Sequence, residues 1–129
     1  DMEDYEKMVE KLRSKGQRLT PQRLEIIKAI AKYEDKHPSL SDLMNDVKKV
    51  LPTVSFSTLY NTVMKFEEIG LVHLFSINGE TRIETKIKPH INLIDRKSGK
   101  IEDIDDTNLL ELIKKKIKSN DIIVNIIVY

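Results

Sequence analysis

Apolar side chains recur every third or fourth position through the first half of the chain, a spacing that predicts four helices. Met2, Tyr5, Met8, Val9 and Leu12 mark the first, and Gly16 is placed to stop it. Thr20 then offers a capping hydroxyl, and Pro21 fits the first helical position, where a missing N–H leaves no bond unmade. Leu24, Ile26, Ile27, Ile30 and Ala31 form the apolar face of this second helix. "HPSLSDLMNDVKKVLP" opens a third, with Ser39 and Asp42 spaced as a capping pair and Pro52 closing it. "SFSTLYNTVMKFEEIG" gives a fourth, capped near Ser55, stopped by Gly70, and apolar at Leu59, Val63, Phe66 and Ile69.

The period then shortens to two. "LVHLFSINGETRIE" places Asn78-Gly79, a strong hairpin-turn signal, between two strand-like arms. Helices followed by such a hairpin give the order of a winged helix-turn-helix. Beyond Ile87 the pattern changes to a smaller lobe. "KPHINLIDRKSGKIEDID" reads as two short strands joined at Ser98-Gly99, carrying His90, Asn92, Asp95, Glu102, Asp103 and Asp105 as potential ion-binding groups. A helix with Leu109, Leu110, Leu112, Ile113 and Ile117 follows, then "DIIVNIIVY", apolar on both faces apart from Asn125. Such a strand needs cover on both sides. A lobe this small seldom forms a core alone, so it either dimerises or packs on the first lobe. The fold class expected is α+β: a winged-helix domain over residues 1–86 and an α/β dimerisation and sensing lobe over 87–129.

Composition narrows the chemistry. Hydrophobic residues at 40% and charged residues at 33% of 129 are those of a globular protein, without an apolar run of roughly eighteen residues that could span a membrane. The acidic, amphipathic start "DMEDYEKMVEKL" does not read as a signal peptide. The chain has no cysteine, which removes disulfides, thiol nucleophiles and thiolate zinc sites and fits a cytoplasmic location. A net charge of +1 argues against a polybasic grip on nucleic acid but leaves room for a local patch. Arg13, Lys15, Arg18 and Arg23 form one candidate; a solvated helix end is the other reading of that run.

In a winged helix, the helix before the hairpin enters the major groove. Its leading end carries Ser55, Ser57, Thr58, Tyr60, Asn61 and Lys65. Hydroxyls and free backbone N–H groups there suit phosphate, Asn61 suits a base edge, and Tyr60 suits a thymine methyl. The competing reading makes Tyr60 a core residue and the hydroxyls mere caps.

"GQRLTPQRLEIIKAI", "HPSLSDLMNDVKKVLPTVSFSTLYNTVMKFEEIGLV" and "GETRIE" closely resemble the ferric uptake regulator family of metal-responsive repressors. The resemblance continues through "PHINLIDRKSGKIEDI" to the final strand. It implies a homodimer that binds inverted-repeat operators in double-stranded DNA and represses when its sensing site holds a divalent metal. It also implies that Tyr60 packs on thymine, that Arg18 enters a minor groove, and that Ser55, Ser57, Thr58 and Asn61 meet backbone or bases; Lys15 and Arg23 join this surface from the basic run alone.

The family's structural zinc uses two cysteine pairs. Here the first falls on Asp95 and Ser98 and the second has no counterpart, so a structural four-cysteine zinc is excluded. The regulatory site that joins the family's two lobes matches His37, Glu84, His90, Asn92 and Asp103, with Asn92 replacing a histidine. One divalent ion per subunit is implied. Manganese, iron or zinc fits this N/O set, as do cobalt and nickel, and an amide oxygen at Asn92 favours harder ions. His73 on the wing reads as surface or packing.

Other readings stay open at this stage. A metal-independent winged-helix repressor, whose second lobe only dimerises, is favoured by Asn92. A peroxide sensor that oxidises a ligand histidine loses one target at Asn92 yet keeps His37 and Asp103. An enzyme has no catalytic motif in its support, and a protein-interaction module without DNA contact would rely on the apolar final strand.

Overall fold

Side chains able to occupy orphan first-turn N–H groups set the helix starts. After α1 (Met2–Ser14), α2 (Pro21–Lys32) begins at Thr20, whose hydroxyl accepts from Arg23 N at 3.2 Å. α3 (Leu40–Val50) opens with a complete capping box: Ser39 Oγ accepts from Asp42 N, and Asp42 Oδ2 accepts from Ser39 N, each at 3.0 Å. α4 (Phe56–Glu68) is capped by Ser55, which accepts from Thr58 N at 3.1 Å. Gly70, at φ +78°, then turns the chain out of α4, and Leu71 N donates back to Phe66 O. β1 (His73–Ile77) and β2 (Glu80–Glu84) pair antiparallel across Asn78 and Gly79, at φ +51° and +76°. Both central residues of this tight turn therefore lie in the left-handed region.

This computed structural model describes residues 2–85 and 88–129. The chain divides into two units, Asp1–Lys86 and Ile87–Tyr129. The boundary expected between Lys86 and Ile87 itself lies outside the described residues. In the first unit Leu12, Ile26, Ile27, Ile30, Leu43, Leu59, Val63 and Phe66 are fully buried, so all four helices contribute to one core. Each such side chain is worth about 1.5–3 kcal/mol of transfer free energy. Met2, at the outer end of α1, is 69% exposed and adds nothing to that core.

The wing is tied to the helices by specific bonds. Glu67 on α4 accepts from Leu74 N at 2.6 Å. The segment before α3 pairs with β2: Ser39 bridges Arg82, and Ile83 N donates to Pro38 O at 2.9 Å. Between α2 and α3, Tyr33 donates its hydroxyl to Asp46 Oδ2 at 2.5 Å, and Lys32 Nζ lies 3.3 Å from Asp46 Oδ1. The Tyr33 hydrogen bond, helped by Lys32, holds the Asp46 carboxyl below its ordinary range, and the same bond pushes Tyr33 up to about 12. Because Asp46 is depressed on folding, its contribution is present above the usual carboxylate pKa and lost as pH falls through the folded value. Tyr33→Phe should cost about 1.5 kcal/mol at neutral pH, the low end for a bond to a charged acceptor. Urea unfolding at pH 7 and below about pH 4 checks this: the deficit should shrink in acid as Asp46 protonates.

The second unit is a three-stranded sheet in the order β4-β3-β5 with one helix in sequence between its last two strands. β3 (His90–Asp95) pairs antiparallel with β4 (Ile101–Ile104) and parallel with β5 (Ile123–Val128), which follows α5 (Thr107–Ile117). Only the central strand is well buried: Ile91 and Ile94, on opposite faces of β3, are each 1% exposed. Among the described residues, the expected double cover of the final strand is absent within one chain. Ile126, Ile127 and Val128 are 36%, 43% and 47% exposed, since β5 is an edge strand. Leu112 and Ile117 on α5 are exposed as well.

Candidate nucleic-acid and metal sites

α4 buries Leu59, Val63 and Phe66, and its 3.6-residue period turns the intervening positions outward. Ser55, Ser57, Tyr60 and Asn61 are exposed, and Thr58 is half-buried. Tyr60 is therefore not a core residue; its ring meets Phe56 edge-on at a centroid distance of 6.4 Å. A cleft of about 520 Å³ runs between the leading ends of α2 and α4, lined by the hydroxyl residues Thr20, Thr53, Ser55 and Thr58. Two helix N-termini and several hydroxyls at one cleft make a surface suited to a phosphate backbone.

The basic run divides by role. Lys15 and Arg18 are exposed. Arg13 is engaged by Glu10 at 2.7 Å. Arg23 donates through Nη1 to Arg18 O at 3.0 Å, with Gln17 Oε1 at 3.5 Å, so it braces the loop that presents Arg18. Sequence spacing placed Arg23 in the patch but gave no sign of this bracing, which depends on a turn between the two residues.

Two histidines that a sequence reader could leave in solvent are buried. His37 is 9% exposed and donates Nε2–H to Glu84 Oε2 at 2.6 Å, and Glu84 is 1% exposed. The loop carrying His37 holds φ +55° there, a left-handed value uncommon outside glycine. β2 and the residue after it fix that loop: Arg82 Nη1 donates to His37 O at 3.0 Å, and Thr85 Oγ1 donates to Glu34 O at 3.0 Å. Arg82 and Thr85 thus position the imidazole, roles that were missed because they act across the bridge between Ser39 and β2. His73 is half-exposed, stacked on Phe75 and 3.6 Å from Glu67, as a packing residue would be.

In the second unit His90 is 4% exposed and Asn92 2%. His90 Nδ1–H donates to Lys88 O, so in the neutral ring the lone pair lies on Nε2. Asn92 Nδ2 lies 3.3 Å from that Nε2 and donates to Asn125 Oδ1 at 3.0 Å. Register places Asp103, Asn92 and Asn125 in one polar row across β4, β3 and β5, with Asn92 buried and both Asp103 and Asn125 exposed. Asp95 and Ser98 do not form an ion site of their own. Asp95 Oδ1 accepts from Lys97 N at 2.8 Å and Ser98 N at 3.4 Å, closing the β3–β4 turn. Among the described residues no three histidine or acidic side chains converge as a metal cage. The pairs that do form, a buried imidazole with a carboxylate and a second imidazole fixed by a backbone carbonyl, have the donor chemistry of a divalent transition-metal site.

A helical core, a wing and an exposed helix face define a winged-helix transcription regulator with a small appended sheet lobe. The model of the ferric uptake regulator family matches residues 14–127. The ferric uptake regulation protein homolog of Archaeoglobus fulgidus is 40% identical over 121 residues, 94% of this chain and 93% of its own. The peroxide stress regulator of Campylobacter jejuni is 32% identical, with 84% of each chain covered and a TM-score of 0.67. The ferric uptake regulator of Francisella tularensis, solved with iron, is 26% identical, covers 88% of this chain and 91% of its own, and has a TM-score of 0.72. The chain belongs to the ferric uptake regulator family: it is a dimeric, DNA-binding regulator of transcription and not an enzyme.

Proposed function

We propose that this protein is a cytoplasmic repressor whose homodimer binds an inverted-repeat operator when each subunit holds one divalent ion, manganese, iron or zinc. The reading surface assigned is Ser55, Ser57, Thr58, Tyr60 and Asn61 on α4, flanked by Lys15, Arg18 and Arg23. The donors assigned to the ion are His37 and Glu84 in the first unit and His90, Asn92 and Asp103 in the second. The observation that carries the metal assignment is the buried His37–Glu84 pair, an imidazole and a carboxylate sequestered from water in a chain of this family.

When bound, the ion supplies a fixed positive charge that holds imidazole and carboxylate donors in one geometry. The chain's own residues do the rest. Arg82 and Thr85 hold the His37 loop, and the Glu67 bond ties the wing to α4. A change in the donor loop is thereby linked to the helix assigned to DNA. Such a link alters operator affinity only as far as the ion distinguishes the two arrangements of the protein.

Anisotropy titrations on DNA upstream of the protein's own gene, with chelated and Mn(II)-loaded protein, test the reading. Loaded protein should bind more tightly, with affinity falling as salt rises. Tyr60→Ala should weaken loaded binding about tenfold, the lower range for loss of a base contact. Equal binding with and without ion would favour the second reading, a metal-independent repressor, which Asn92 in place of an imidazole supports. Unchanged affinity in Tyr60→Ala would move the reading surface elsewhere.

A further inference from the structure

Asn92 is more than a missing histidine, because its amide sits on the atom a metal would need. The Nδ1–H bond to Lys88 O leaves the His90 lone pair on Nε2. Asn92 Nδ2 faces that lone pair at 3.3 Å while donating to Asn125 Oδ1 at 3.0 Å. One NH2 group has two hydrogens, so it can serve both acceptors at once. Burial of His90 and Asn92, at 4% and 2% exposure, keeps water from competing freely for the contact between them, while Asn125 reaches Asn92 from an exposed position on β5.

Turning the Asn92 amide over would exchange its nitrogen and oxygen. The oxygen would then stand beside Nε2, giving two lone-pair donors side by side instead of a donor and an acceptor. Asn125 can follow, since it is also an amide: turned over in its own right, it donates Nδ2–H to Asn92 Oδ1. The bond between the two asparagines survives in either sense. Aspartate at the same place would accept only and would support one sense alone.

We propose that Asn125 is a positioning residue that pairs with Asn92 to gate His90. With the pair in one sense the Nε2 lone pair is capped; reversed, Nε2 and Asn92 Oδ1 are presented together to a divalent cation. The gate rests on the metal-controlled reading above and adds to it a residue outside the assigned donor set. It lowers affinity by the free energy of reversing the pair, and it makes the donor beside His90 an oxygen.

Zn(II) is the probe, diamagnetic and readable by both calorimetry and NMR on the full-length dimer. In the wild type, zinc should shift the His90 Nε2 resonance and the side-chain NH2 signals of both Asn92 and Asn125. Asn125→Asp should weaken zinc binding about tenfold, the scale of one hydrogen bond, although the added negative charge alone would strengthen it. In an Asn92→Ala background the Asn125→Asp penalty should vanish, since no amide remains to be held. Asn92→His, which replaces the gate with a ligand, should bind zinc more tightly than the wild type and covers the case in which Asn125→Asp folds poorly. Equal or tighter binding by a folded Asn125→Asp, or Asn92 NH2 signals that stay still while zinc saturates, overturns the gate but leaves the metal site standing. A wild type that takes up no zinc, manganese or iron overturns both.

Discussion

A chain carrying Ile126→Glu together with Val128→Glu should sediment as a monomer at micromolar concentration and lose about 10²–10⁴-fold in affinity for a two-half-site operator. The two positions share one face of β5, two residues apart, and are 36% and 47% exposed in the single chain. β5 is an edge strand, so its outer backbone groups have no strand partner among the described residues. A second copy related by a two-fold axis would supply an antiparallel strand and cover the apolar side chains in one step. Glutamates there would be desolvated in the dimer and brought close to the glutamates of the second copy. Since the unit buries little beyond Ile91 and Ile94, its strand signal in circular dichroism should weaken along with the dimer. A double variant that stays dimeric with native operator affinity would place the interface on another face.

His37→Ala should lower the stability of the first unit by about 1–3 kcal/mol and weaken Mn(II) binding by roughly two orders of magnitude, the upper range for a lost second-shell contact and a minimum for a lost ligand. Two effects separate here. The stability loss arises because Glu84, 1% exposed, gives up the 2.6 Å bond from the imidazole, and a contact with Phe75 at 5.8 Å goes with it. The affinity loss arises because a nitrogen donor goes with the ring. His37→Gln retains a side-chain N–H for Glu84 and should recover part of the stability while leaving the Mn(II) deficit in place. Chemical denaturation and calorimetry on both variants measure the two effects independently. Native Mn(II) affinity in a folded His37→Ala protein would remove His37 from the donor set.

Much of the first unit was readable because its signals are local. Thr20-Pro21, the Ser39/Asp42 pair and Asn78-Gly79 each declare their geometry within four residues, and each forms the cap or turn its chemistry requires. What spacing could not show were bonds between distant segments. Arg82 reaching His37, Thr85 reaching Glu34, and Asn92 reaching Asn125 all span more than thirty residues. Burial of the histidines was hidden for the same reason: His37 and His90 sit beside prolines in polar stretches, and only the strands around them remove their solvent. The apolar run at the C-terminus was plain, but its neighbours were not. Strand order depends on which edge stays open, and a one-dimensional pattern carries no edge.

The turn closed by Asp95 has a practical meaning for how this regulator endures stress. Its sheet hairpin is stapled by a carboxylate accepting two backbone N–H groups, in a chain with no cysteine to hold a thiolate zinc. A turn held this way offers oxidants no thiolate to attack and should keep its form when zinc is scarce. A strong chelator should therefore empty the proposed regulatory site while leaving this turn in place. Loss of DNA binding in such an experiment reports on the signal and not on collapse of the fold.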